Sequence, residues 1–156
     1  MIINKRIFNA KSIPELFDIV KTLVKKTLGF EQAGLMVGVS DLGASPSGYI
    51  GAFYNLNANM IIINKIPLAL IKKSEPKNYN YYLFHILMHE YLHAVGHMDE
   101  KETRDLTNKI ITRYLGKNHI STSLEKFKIK LDYYPIQDVR VEFIERIDSK
   151  NMNYIA

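Results

Sequence analysis

The segment Tyr81–Gly96, YYLFHILMHEYLHAVG, constrains this chain more than any other. Its pattern is that of one long helix closed by a glycine. Within it His89 and His93 stand four residues apart. Residues at that spacing share a helix face, with Cβ atoms about 5–6 Å apart. Glu90 is rotated about 100° from His89 on the same helix.

The chain around this helix has ordinary globular composition. Its 156 residues are 47% hydrophobic and 24% charged. That is the balance of one domain with one core, and it is too apolar for a disordered polymer. The longest apolar stretches, Met60–Ile63 and Pro67–Ile71, fall far short of the roughly 18 residues a membrane span needs. The opening MIINKRIFNAKSIPEL has no sustained apolar run, so no secretory signal is expected. There are no cysteines. Disulfides, thiol catalysis, cysteine zinc ribbons and iron–sulfur clusters drop out, and any metal must be held by His, Asp, Glu or Tyr. The same absence fits a reducing compartment, and a cytoplasmic location is expected. The net charge of +5 comes from 21 basic and 16 acidic residues, spread out except for the pairs Lys25-Lys26 and Lys72-Lys73. No arginine-rich stripe marks a nucleic-acid footprint.

The order of elements predicts an α+β fold with strands confined to the first half. Ser12 as cap, Pro14 in the first turn and Glu15 closing a capping box open a helix that runs to Leu28 and stops at Gly29. Its apolar positions recur at helical spacing, so it should pack one face on a sheet. Gly34–Ser40, Tyr49–Asn55 and Asn59–Asn64 read as three strands, with a loop over Asp41–Gly48 and a turn at Asn57 and Asn59. Pro67–Lys73 reads as a short helix. After the long helix, another is expected over Lys101–Leu115, then two more over Ser121–Tyr134 and Ile136–Ile147, split by Pro135.

Two imidazoles one turn apart can both direct a nitrogen at one zinc ion, at about 2.0–2.1 Å. Glu90 then reaches beside the metal rather than onto it, where it can take a proton from a water that the zinc acidifies. Gly96 lets the chain leave the helix with positive φ, and three residues later it offers Asp99. His97 lies nearer and competes for the same role. The blander reading makes His89 and His93 half-buried polar residues of an amphipathic helix, with Glu90 solvated.

The string HEYLHAVGHMD, read as HExxHxxGxxD, resembles the zincin metallopeptidases, and within them the metzincin pattern with aspartate in the third ligand position, as in the snapalysins. The resemblance covers residues 89–99 in motif and about 12–99 in layout. It implies a zinc-dependent peptidase acting on a peptide or protein, with His89, His93 and Asp99 as ligands and Glu90 as general base. It implies a zincin-like fold over residues 1–156: a small twisted sheet with a backing helix and the active-site helix in an upper part, about 1–96, and a helical lower part, about 97–156. The strand Asn59–Asn64 is then expected at the sheet edge, pairing with extended substrate. Met152-Asn153-Tyr154 matches the methionine turn of that family. A gluzincin-like ligand set would instead take Glu142 or Glu145 as third ligand. Two rivals stand beside these: a binding or scaffold protein without turnover, and a metal-dependent RNA hydrolase of the HxxxHxxGxxH type, which lacks the glutamate that Glu90 supplies here. His85 reads as a packed core residue, His119 as a surface one, and Tyr79, Tyr81 and Tyr82 as the start of the long helix.

Overall fold

The computed structural model describes residues 2–144. The chain is α+β, with a small mixed sheet of four strands alongside its helices. No helix among the described residues is long and apolar enough to cross a membrane. The backbone gathers into two compact units, residues 2–33 with 80–127 and residues 34–79 with 128–144. Residues on both sides of Gly96 belong to the first.

The first unit is helical. α1 (Ile2–Asn9) has no local stop signal of its own. Its end is held by Asn80, whose side-chain amide lies within hydrogen-bond reach of the carbonyl oxygens of Ile7, Phe8 and Ala10. α2 (Ile13–Leu28) begins and ends as its sequence dictates. Ser12 Oγ accepts the Glu15 N–H, and Gly29 at φ 78° returns its N–H to Lys25. α4 (Tyr79–Ala94) is buried nearly all round, from Tyr82 to Ala94 with the exception of His89, as an apolar helix at the centre of a core must be. Tyr91 meets Phe17 of α2 edge to face at 5.3 Å, and its hydroxyl accepts the Gln32 N–H. Tyr82 packs edge to face on Phe127. α5 (Glu100–Leu115) follows after a five-residue turn.

The second unit is the sheet, in the order β2-β3-β1-β4. β1 (Met36–Ser40) runs parallel to β3 (Met60–Asn64), and β2 (Ala52–Asn55) pairs antiparallel with β3 across a turn. In that turn Asn59 takes φ 50° and accepts the Tyr54 hydroxyl proton on its side chain. Asn64 ends β3 fully buried and ties the following segments together. Its Oδ1 accepts from Leu42 and from Ile66, capping α3 (Lys65–Ser74), and its amide donates to the carbonyls of Gly43 and Ile50.

Two expectations are corrected here. The strand Asn59–Asn64 is not at the sheet edge: β3 is flanked by β2 and β1, so both its backbone faces are already bonded. Among the described residues, the segments expected as helices after Leu115 are also not helices. Ile120–Thr122 and Leu124–Lys126 form single 3-10 turns, and the chain then continues without helix to β4 (Glu142–Phe143), which pairs antiparallel with β1. Hydroxyl and carboxylate side chains compete for the local backbone there. Thr122 bonds the His119 carbonyl, Ser123 the Glu125 N–H, and Asp138 the Arg140 N–H. Such bonds favour turns over helix, and β-branched Val139 and Val141 favour extension.

Candidate metal centre

α4 ends in a Schellman turn. The Gly96 N–H bonds the His93 carbonyl and the His97 N–H bonds the Leu92 carbonyl, with Gly96 at φ 119°. The reversal carries the His97 carbonyl back onto the helix, where its oxygen lies 2.6 Å from His93 Nδ1. A carbonyl only accepts, so Nδ1 bears the proton and, in the neutral ring, Nε2 bears the lone pair.

The turn then delivers α5. Asp99 is its N-cap, and its carboxylate accepts the Glu102 N–H at 2.8 Å. Glu100, the first residue of α5, turns the other way. Its Oε1 lies 2.6 Å from His89 Nε2 and its Oε2 lies 3.2 Å from His93 Nε2. The two rings stand nearly perpendicular, with centroids 4.9 Å apart. Ligand atoms of His89, His93 and Glu100 all fall within 4.8 Å of one another, a group able to hold a metal ion.

Burial and charge fit such an ion. The two imidazoles are 13% and 11% exposed at the side chain, while Glu100 is 60% exposed, so the group opens to solvent on the Glu100 side. Burial pushes the His89 pKa down, against the upward pull of Glu100. Burial pushes Glu100 up, but His89 and His93 outweigh it and hold the carboxyl below its ordinary value. With Nδ1 protonated, a neutral His93 aims a lone pair at a carboxylate oxygen. Two acceptors face each other stably only with a proton or a cation between them.

Of the residues singled out in the sequence, the structure brings His89 and His93 together with Glu100 and sets Asp99 to capping. His97 faces Glu102, with Nδ1 at 3.7 Å from its carboxylate. Glu90 is buried in α4 beside His89, 7% exposed. Glu142 is an exposed residue of β4 in the second unit. Glu145, Met152 and Tyr154 lie outside the described residues. Glu100 was not among the residues expected, although a signal for it exists. Asp99 followed three positions later by Glu102 is a capping pattern, and a carboxylate engaged in capping leaves the next acid, Glu100, to face the histidines.

Compared with known proteins, the chain matches no family model, no curated protein and no solved structure.

Proposed function

We propose that the protein is a zinc-dependent peptidase of zincin-like fold, with His89, His93 and Glu100 holding the metal and Glu90 acting as general base on a peptide or protein substrate in the cytoplasm. The observation that carries this reading is the convergence of two imidazole Nε2 atoms and one carboxylate within 4.8 Å, on a helix whose sequence is HExxH. Two nitrogens and one carboxylate oxygen are a zinc donor set that leaves a fourth position open. Bound there, zinc would supply Lewis acidity toward a scissile carbonyl and lower the pKa of water.

The chain's own residues do the rest. His93 is held in the Nδ1–H tautomer by the His97 carbonyl. Glu90, next to His89 in α4 and buried, accepts the proton of the attacking water and returns it to the leaving amine. The likeness of residues 89–96 to the zincin motif supports the same chemistry, with Glu100 taking the ligand role that the resemblance assigned to Asp99.

The experiment combines metal content with turnover. Protein refolded with zinc and dialysed should retain about one zinc per chain and cleave an unstructured protein substrate, and both should be lost in His93→Ala. A folded chain that retains no zinc refutes the reading. A chain that retains zinc but cleaves no peptide is a metal-binding scaffold instead.

A further inference from the structure

We propose that Thr103 is a positioning residue that holds His93 in the tautomer the metal needs; the inference rests on the metal reading above and deepens it. Thr103 belongs to the second turn of α5 and is fully buried. Its Oγ1 lies 2.7 Å from the Asp99 carbonyl oxygen, the ordinary back-bond of a helical threonine, and also 2.7 Å from the carbonyl oxygen of His97. The one hydroxyl proton is shared between the two carbonyls as a three-centre bond, and its His97 arm is the informative one. The His97 carbonyl is the acceptor for His93 Nδ1–H, and Thr103 Oγ1 stands 3.4 Å from that same nitrogen.

A hydroxyl, a carbonyl and an imidazole N–H thus meet at one point behind the ring, while Nε2 points to Glu100 on the other side. The carbonyl sits in a turn between two helices, where the Schellman bonds of Gly96 and His97 and the His93 Nδ1–H hold it from the α4 side. Thr103 holds it from the α5 side. Removing the hydroxyl frees the turn, and the ring gains the option of protonating Nε2, which cannot bind a metal. Partners behind a ligating histidine typically carry about 10- to 100-fold in metal affinity.

The test is a histidine 15N–1H correlation spectrum of metal-free protein at about pH 8, where imidazoles are neutral, in a Glu100→Ala background, which removes the carboxylate facing Nε2, with zinc affinity measured by chelator competition on chains that keep Glu100. The parent and Thr103→Ser should show His93 as the Nδ1–H tautomer and bind zinc alike. Thr103→Val, isosteric but without the hydroxyl, should populate the Nε2–H tautomer and lose about 10- to 100-fold in affinity. Thr103→Ala replaces it if the valine chain does not fold. A folded variant without the hydroxyl that keeps the parent tautomer, or that changes tautomer with unchanged affinity, overturns the proposal. A parent that binds no zinc while its tautomer follows the Thr103 hydroxyl sinks the metal reading alone and leaves Thr103 as the residue that sets the tautomer.

Discussion

Asp99 and Glu100 are neighbours in sequence, yet their carboxylates serve different partners. That of Asp99 accepts the Glu102 N–H at the start of α5, and that of Glu100 bridges His89 and His93. The division is imposed by the helix start. A residue at the N-cap has its side chain folded over the first turn, and the next residue, already helical, projects sideways from it.

The two acids are therefore separable by mutation. Glu100→Ala should weaken zinc binding by more than the roughly 10- to 100-fold expected of a residue behind a ligand. Asp99→Ala should leave affinity nearly intact and lower the stability of α5 by about 1 kcal/mol, the usual value of an N-cap. Chelator competition and thermal unfolding of both variants measure the two effects. A severe affinity loss in Asp99→Ala with a mild one in Glu100→Ala would restore the metzincin-like ligand set.

Glu90→Gln separates metal from chemistry. It is expected to retain zinc and lose about 100- to 10,000-fold in peptide cleavage, the span of a general-base contribution. Equal zinc content with equal turnover would remove Glu90 from the mechanism.

The parts of the fold that were legible in the sequence are those whose signals are local. α2 carries its cap, its first-turn proline and its terminal glycine within its own residues, and each acts as expected. The two histidines sit on one helix face because four residues make about one turn. What escaped depends on partners distant in sequence. α1 is terminated by Asn80. β4 exists because Val141–Ile144 lies along β1, and the parallel pairing of β1 with β3 puts β3 inside the sheet. Sequence order names strands but does not place them side by side. Glu100 escaped for a different reason. The chain length after Gly96 suits either acid, and the α5 cap decides which of the two is consumed.

The β1–β4 pairing depends on a missing side chain. A Cβ at Gly38 would lie 2.6 Å from Val141 Cγ1, well inside van der Waals contact. Gly38→Ala should therefore cost about 1–3 kcal/mol, as overpacking does, and the loss should be local. The Ile144 N–H, bonded to the Val37 carbonyl at 3.0 Å, should exchange faster with deuterium. The β1–β3 ladder, paired from Met36↔Met60 to Ser40↔Asn64, should keep its protection. Unchanged Ile144 exchange in a folded Gly38→Ala chain would show that Val141 yields without disturbing β4.

His85 makes the fold sensitive to acid. It lies one turn before His89, buried, with Nδ1 donating to the Ser121 carbonyl at 2.6 Å. Burial pushes its pKa down from 6.5 to about 4, with the Ser121 bond opposing and the charge of His89 reinforcing the fall. The folded chain thus keeps this ring neutral where the unfolded chain protonates it. Its stability is complete above about pH 6.5, declines as acid is added, and stops declining below about pH 4, because there both states carry the proton. The difference amounts to about 3 kcal/mol across that window. His85→Asn offers an amide donor near the position of Nδ1 but has no proton to gain. It should be less stable than the parent at pH 7, because the smaller side chain leaves a gap in the core, yet lose less of its stability between pH 6.5 and 4. Urea unfolding of both chains in excess chelator, at several pH values across this window, makes the comparison. Parallel curves would assign the acid sensitivity to other groups, and convergence of the two toward pH 4 would assign it to His85.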